Sequence, residues 1–251
     1  LDALLSERPA FLAEIAAFDG LMVVHAEDPG HLHPGGPLGV RYADFLASRP
    51  PVSEAVAVAG VVEAARRTGA RAHVVHLSDG GTLPAVRAAK ADGVHLSVET
   101  CPHYLTLRAE DVPDASPAFK CCPPIRDQAN QDLLWEGVLD GTIDAVVSDH
   151  SPATLALKEQ GGGDLGLAWG GIAGVQTGLS ALWTQARARG LALEDLLPLL
   201  TTGPARIAGL TGAGRIAVGA PAHLVAFAPD ERWQVDAAAL EYRTKISPWH
   251  G

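Results

Sequence analysis

The sequence predicts an α/β fold built on a parallel sheet, corresponding to the C-terminal half of a closed (β/α)8 barrel. Short apolar runs typical of buried strands alternate with helical segments four times, in units of roughly 30 to 50 residues. Three of the four runs end in a histidine or an aspartate, and parallel barrels carry their chemistry at the carboxyl ends of their strands. An open doubly wound sheet is the alternative, but the glycine-rich phosphate-binding fingerprint often found near its first strand is absent from the sequence.

Each element is predicted from its local pattern. Residues 6–17 carry apolar side chains at helical spacing, with Ser6 as a candidate N-cap and Gly20 as a stop. The apolar run Leu21–Val24 is too short for a helix and predicts the first strand. The same signals predict helices at 52–68, 80–91 and 128–139, a helix ending near 189, two short helices within 193–209, and strands at 71–75, 94–98 and 144–148. Residues 222–227 predict a further strand outside this alternation.

Composition excludes several classes of function. The formal net charge of −10, with no cluster of Lys or Arg, argues against a nucleic-acid-binding surface. No apolar run reaches the roughly 20 residues that a membrane span needs, so no membrane partner is expected. Three cysteines make no disulfide framework and favour the reducing cytoplasm. Because the chain begins at Leu1 inside a helical pattern, we expect it to be a fragment.

The candidate metal ligands are His25, His76 and Asp149, each the first polar residue after an apolar run. In a closed parallel barrel the carboxyl ends of the strands meet on one face, so these three side chains are predicted to converge. Two imidazoles and a carboxylate suit a divalent first-row metal such as zinc. The alternative is that each residue is structural: the histidines could bond to loop carbonyls, and Asp149 could cap the next segment.

Other residues with reactive side chains are predicted to play supporting roles. His103 and His150 follow strands and are candidates for contacts to the ligands or the substrate, whereas His73 and His95 lie within predicted strands and should be packed. The pair Cys121-Cys122 could suggest a nucleophile, but no base is identifiable and Pro123-Pro124 follows. We interpret this segment as a shaped loop whose backbone groups could bind substrate.

Five motifs occur in the order found in cyclic amidohydrolases, the superfamily of hydantoinases, dihydropyrimidinases, dihydroorotases and allantoinases. They are VHAE at 24–27, HVVH at 73–76, ETCPHY at 99–104, CPPIRD at 122–127 and VSDHSP at 147–152. The resemblance covers essentially the whole chain. Two further segments, AWGGIAGVQ at 168–176 and EYRTKISP at 241–248, resemble the allantoinase branch most; hydantoinases carry a different segment at the first of these positions.

The resemblance implies a TIM-type barrel with two divalent metal ions, zinc being expected. It implies that His25 and His76 bind one metal, and that Asp149 binds the other and moves the proton from the bridging hydroxide to the leaving nitrogen. Backbone groups at Cys122 and Gly170 would contact the substrate. Residues 1–209 would form the C-terminal half of the barrel, and 210–251 the start of a small β-sandwich. The family's bridging carboxylated lysine and first histidine pair have no counterpart in the chain.

The function implied by the resemblance is metal-dependent hydrolysis of a cyclic amide, namely allantoin to allantoate in purine catabolism, by a cytoplasmic homotetramer. The first alternative is a hydantoinase, dihydropyrimidinase or dihydroorotase. The second, from another class, is a non-catalytic scaffold relative; such proteins tend to lose metal ligands, and His25, His76 and Asp149 are all present. Because only three of six expected ligands are in the chain, little or no turnover is expected from it alone.

Overall fold

The computed structural model describes residues 8–33 and 35–251, with side chains from residue 10 onwards. Its centre is a four-stranded parallel sheet in the order β1-β2-β3-β4. The strands are β1 (Leu21–Val24), β2 (Arg71–Val74), β3 (Leu96–Thr100) and β4 (Ala145–Val146). The register pairs Val24 with Val74, and Val74 with Val98, so the carboxyl ends of the first three strands are aligned.

Ten helices connect and cover these strands within the described residues. They are α1 (Arg8–Ala17), α2 (Tyr42–Ala47), α3 (Pro51–Thr68), α4 (Leu83–Ala91), α5 (Pro102–Thr106), α6 (Gln128–Leu139), α7 (Leu155–Lys158), α8 (Gly178–Ala188), α9 (Leu193–Leu200) and α10 (Thr202–Ile207). Short 3-10 turns occur at Pro29–His31, Gly80–Thr82, Ala109–Asp111, Pro117–Phe119 and Ala237–Ala239.

The strand order separates the two fold alternatives. Each strand pairs with the next strand in sequence, without reversal, as in a barrel. A doubly wound sheet instead changes direction at a switch point. The predicted parallel α/β architecture, with four consecutive barrel units, is therefore confirmed.

The main core lies between the sheet and helices α3, α4 and α6. Val74, Val98 and Val146 bury their side chains from the sheet, and Phe45 and Trp135 are each 2% exposed. Full burial of a large apolar side chain contributes about 1.5–3 kcal/mol. The indole Nε1 of Trp135 donates to the carbonyl of Leu105 at 3.0 Å, so this large side chain is buried without an unsatisfied donor.

Helix α3 forms a wall of this core. It starts at Pro51, whose missing N–H costs nothing in the first turn, and ends at Gly69, which adopts φ +70° as a left-handed cap. The stretch Tyr42–Thr68 is apolar and long enough to cross a membrane by length and composition, at a mean hydropathy of 1.2. A break separates α2 from α3, and one face of α3 packs in the core, so the stretch is weak evidence for a span.

Five sequence predictions require correction or qualification. The strand predicted at 94–98 is observed at Leu96–Thr100, since Val94 is drawn into the turn that closes α4. His95 is consequently exposed rather than packed. The stretch 222–227 forms no strand in the described chain, because it pairs with no neighbour, and Val225 is 82% exposed. Ser6, the predicted N-cap, lies outside the described residues, and the division at residue 209 stays a prediction.

Candidate metal centre

Two of the predicted ligands meet at the carboxyl ends of β1 and β2. His25 follows β1 directly, and His76 comes two residues after β2. Because the two strands are parallel neighbours in register, their next polar side chains lie side by side. Nδ1 of His25 lies 3.0 Å from Nε2 of His76. The sequence-predicted convergence of these two residues therefore appears in the structure.

A carboxylate orients the His25 ring. Oε2 of Glu27 lies 2.9 Å from Nε2 of His25 and also accepts a hydrogen bond from the guanidinium of Arg49. The hydrogen-bond network assigns the ring proton to Nε2, which leaves the lone pair of Nδ1 directed at His76. Burial raises the pKa of Glu27, but His25 and Arg49 outweigh it and hold the pKa below its usual value. Glu27 is thus an anion that fixes one ring.

The pair fits a metal ion by its donor chemistry. Two nitrogen ligands of a tetrahedral zinc ion lie about 3.3 Å apart, close to the 3.0 Å between Nδ1 of His25 and Nε2 of His76. A carboxylate that accepts the other ring proton is the usual support of a metal-binding histidine, and Glu27 occupies that position. Burial and then the neighbouring His25 lower the pKa of His76 to about 4, so His76 is neutral and able to bind a metal at neutral pH.

Asp149 approaches the site from β4 with a different set of neighbours. Its carboxylate, the Cys101 sulfur and a ring nitrogen of His103 all lie within 4.8 Å of one another. His103 is 1% exposed, and neither of its ring nitrogens has a hydrogen-bond partner among the described residues. Burial raises the pKa of Asp149, the Glu99 carboxylate raises it further, and His25 lowers it. Asp149 therefore lies in a group of side chains separate from the histidine pair, although His25 is near enough to lower its pKa.

Both strand-end residues adopt a rare backbone conformation. His76 has φ +41° and Asp149 has φ +42°. They are two of the four non-glycine residues with positive φ in the described part of the chain. Non-glycine residues in this left-handed region cost on the order of 1–3 kcal/mol and cluster at functional sites. The strain coincides with two of the three predicted ligands.

The two predicted substrate-binding positions are adjacent to each other. A Cβ atom added at Gly170 would lie 3.3 Å from Sγ of Cys122 and 4.0 Å from its backbone nitrogen, so the two positions face each other and a side chain at 170 would displace the thiol slightly. Burial raises the pKa of the Cys122 thiol, Arg49 lowers it and Glu27 raises it. This protonated, half-buried thiol does not act as a nucleophile at neutral pH, and its charged neighbours place it on the His25 side of the site.

A buried ion pair supports the loop that carries His76. Glu54 of α3 is 1% exposed, and its Oε2 accepts the backbone N–H groups of Ser78 at 2.9 Å and Asp79 at 3.1 Å. Its other oxygen, Oε1, lies 2.6 Å from the guanidinium of Arg126. Because Arg126 belongs to the CPPIRD motif, this pair ties the His76 loop to the loop that begins at Cys122.

The two segments that resemble allantoinases contact each other. Tyr242 Oη accepts the backbone N–H of Gln176 at 2.7 Å, and the Gln176 side chain accepts the N–H of Glu241 at 2.9 Å. The ring of Tyr242 lies 5.1 Å from the ring of His150. His150 is exposed and its Nδ1 accepts the N–H of Val175 at 3.4 Å. The second segment is therefore part of the rim beside β4.

Sequence reasoning missed two features of the site. Cys101 was not a candidate because no zinc-type cysteine spacing is present, yet it is fully buried beside Asp149. Arg49 lies in a connection between helices and carries no motif signal; only the fold brings it to Glu27. His73 is buried as predicted and bonds to Ser97 and Glu99 on β3.

Comparison with known proteins identifies chains of similar sequence. An allantoinase from Streptomyces avermitilis is 52% identical over 244 residues, which cover 96% of this chain and 54% of that protein. A probable allantoinase from Oryza sativa subsp. japonica is 38% identical over 90% of the chain and 47% of its own length. The chain thus spans about half the length of these curated relatives.

Solved structures show the same fold. The L-hydantoinase (dihydropyrimidinase) from Arthrobacter aurescens superimposes with a TM-score of 0.90 at 28% identity, covering 98% of this chain and 56% of that one. The sequence pattern of the amidohydrolase family matches residues 56–246, well over half of the chain. This protein therefore belongs to the amidohydrolase family.

Proposed function

We propose that this chain forms part of the active site of a metal-dependent cyclic amidohydrolase that converts allantoin to allantoate. The proposal is supported by 52% identity to a curated allantoinase over 96% of the chain. The resemblance of the 168–176 and 241–248 segments to allantoinases also supports it, and these two segments contact each other. The reaction adds water across the ring amide: the C–N bond breaks, the carbonyl carbon becomes a carboxylate, and the nitrogen leaves as N–H.

In this proposal His25 and His76 would hold one divalent ion, and Asp149 would hold a second. A metal pair of this kind acidifies water and polarises a carbonyl. Zinc suits the imidazole and carboxylate donors. The chain's own residues supply orientation: Glu27 fixes the His25 ring, and the loop tied by Glu54 carries His76.

We also propose that the full-length protein is cytoplasmic and forms a homotetramer. Light scattering, which measures the mass of the particle in solution, tests the tetramer.

Asp149 is the proposed proton carrier. Its carboxylate accepts a proton from the attacking water and returns it to the leaving ring nitrogen, so no net proton is gained or lost at the enzyme. Burial and the nearby Glu99 raise the pKa of Asp149, which favours its transient protonated form. Backbone groups at Cys122 and Gly170 would bind the ring, consistent with their mutual contact.

A substrate panel tests this function. The full-length protein, loaded with zinc, manganese or cobalt, is assayed with allantoin, hydantoin and dihydrouracil. We expect the highest kcat/KM with allantoin. Preference for hydantoin or dihydrouracil would favour the second candidate, which is supported by the similarity to the Arthrobacter L-hydantoinase. A protein that holds metal but hydrolyses none of the three would contradict both and favour a scaffold.

Metal analysis tests the ligand assignment. His76→Ala should lose one of two bound metals, because it removes half of the histidine pair. His95→Ala is the matched control, since His95 is an exposed histidine at the opposite end of the neighbouring strand. Equal metal content in both variants would refute the role of His76.

A further inference from the structure

Two of the four lysines are buried beside the candidate site, Lys120 in a loop and Lys158 at the end of α7. Lys158 is 2% exposed and Lys120 is 7% exposed. Neither lies within 4.0 Å of a carboxylate oxygen in the described part of the chain; the lysine with such a partner is Lys90, which pairs with Asp144. Burial of a lysine without an acidic partner is costly, and burial lowers the pKa of Lys158 to about 8. The two buried ammonium groups therefore need hydrogen-bond acceptors that offset the loss of hydration.

Backbone carbonyl groups provide these contacts. Nζ of Lys158 donates to the carbonyls of Pro117 at 3.0 Å and Lys120 at 3.1 Å. Nζ of Lys120 in turn donates to the carbonyls of Gly166 at 3.2 Å and Ala168 at 2.5 Å. The Lys120 ammonium therefore joins residue 120 to residues 166–168, and the Lys158 ammonium joins the end of α7 to residues 117–120.

The bridged segments are the ones that hold the predicted substrate contacts. We call residues 117–122 the Cys122 segment and residues 166–171 the Gly170 segment. The carbonyl of Lys120 also accepts the N–H of Gly171 at 2.8 Å, and the N–H of Trp169 donates to the carbonyl of Leu157, next to Lys158, at 2.9 Å. The segments touch where a Cβ at Gly170 would meet Cys122 Sγ at 3.3 Å.

We propose that Lys120 and Lys158 are positioning residues that fix the distance between the Cys122 segment and the Gly170 segment, and thereby set which cyclic amide ring the site accepts. This inference rests on the proposed function. A lysine ammonium is suited to the task because it presents three rotatable N–H donors and no acceptor, so one group can hold several carbonyls. A backbone displacement of about 1 Å in such a site can change rates about a hundredfold.

Apolar side chains in place of Lys120 and Lys158 could not make these hydrogen bonds. An apolar side chain at position 120 would remove the ammonium donor of the Gly166 and Ala168 carbonyls. An apolar side chain at position 158 would remove one of the two donors of the Pro117 and Lys120 carbonyls, which also accept the N–H groups of Lys120 and Gly171. The Gly166 and Ala168 carbonyls would then turn towards water and draw the Gly170 segment away from the Cys122 segment, and loss of the Lys158 ammonium would weaken the hold of α7 on the Cys122 segment. Neither lysine is expected to touch the reacting atoms, so both act through the backbone.

The test combines exchange and substrate preference in the full-length, metal-loaded protein. Lys158→Met is compared with Lys245→Met, whose lysine donates to one carbonyl outside both segments, that of Leu240. We expect amide hydrogen exchange in peptides covering 117–122 and 166–171 to rise at least about tenfold in K158M and to stay unchanged in K245M. Metal content and helical circular dichroism should be retained in both variants.

The kinetic result separates positioning from general support. In K158M we expect KM for allantoin to rise at least about tenfold with a smaller change in kcat, and the ratio of kcat/KM for allantoin over hydantoin to fall by a similar factor. Faster exchange with an unchanged ratio would overturn the specificity role, and unchanged exchange would overturn the bridging role. Lys120→Met carries the same expectations, and serves if K158M does not fold.

Failure of the proposed function has a different signature. If the parent protein hydrolyses none of the ring substrates, the function is wrong and so is the specificity role. The exchange comparison between K158M and K245M still decides whether the lysines hold the two segments together.

Discussion

Replacing Arg126 by methionine tests the buried network that supports the His76 loop. Methionine keeps the apolar stem of Arg126 but removes its charge, and leaves Glu54 unpaired at 1% exposure. Glu54 would still accept the N–H groups of Ser78 and Asp79. Loss of one partner from a buried ion pair typically costs about 3–5 kcal/mol, because the remaining charge stays desolvated. We expect a loss of this size in the free energy of unfolding at pH 8.

The loss should shrink at low pH. Burial raises the pKa of Glu54 to about 6, above the 4.5 of a solvated glutamate, although Arg126 opposes this rise. A carboxyl group with a raised pKa in the folded state contributes stability at low pH, and this is lost as pH rises through that pKa. Without Arg126 the pKa of Glu54 rises further, so the decline in the free energy of unfolding extends to higher pH. At pH 5 Glu54 is protonated in both proteins, and only about 1–2 kcal/mol of hydrogen bonding is lost.

Urea unfolding at pH 5, 6, 7 and 8, with a chelator to exclude metal linkage, measures this difference. Arg66→Met is the matched control on α3: Arg66 is 45% exposed and pairs with Asp92 at 3.0 Å, so its loss should cost less than about 1 kcal/mol. A deficit of R126M that is equal at pH 5 and pH 8, or no larger than that of R66M, would refute the reasoning.

Three further predictions concern packing and catalysis. Trp135→Phe leaves a buried carbonyl without its donor and should cost about 2 kcal/mol of unfolding free energy, whereas Trp233→Phe, at 47% exposure, should change urea denaturation little. Gly203→Ala should destabilise the protein by about 2–3 kcal/mol, because its Cβ would overlap a backbone carbonyl oxygen. This cost outweighs the gain of about 1 kcal/mol in helix propensity. Thermal melts measure the loss, and Gly35→Ala, with open space around its Cβ, is the control. Asp149→Asn should lower kcat by about 100-fold or more with a smaller effect on KM, measured on protein whose metal content is checked; activity near that of the parent would contradict the proton-transfer role.

The helices, the strands and the pairing of two strand-end histidines are predictable from sequence, because each depends on residues close together in the chain or on the shared end of parallel strands. The helix predicted at 128–139 is observed with those bounds, and Gly141 follows it closely in the sequence. The structure adds its N-cap: the Asp127 side chain accepts the N–H of Asn130. The four strands and their parallel order follow from the alternation of apolar runs with helices. Since parallel strands end at a common face, His25 and His76 could be expected to meet, and their nitrogens are 3.0 Å apart.

Only the tertiary structure decided which distant groups pair. Glu27 with Arg49, Glu54 with Arg126, and the lysines with loop carbonyls join residues from separate connections, and no local periodicity encodes such contacts. The apolar stretch 222–227 reads as a strand, yet it finds no partner within the described chain. A strand requires hydrogen bonds from a neighbour, whereas a helix satisfies its own backbone. Sequence therefore determined the elements and the strand-end ligands, and packing determined the network that orients them.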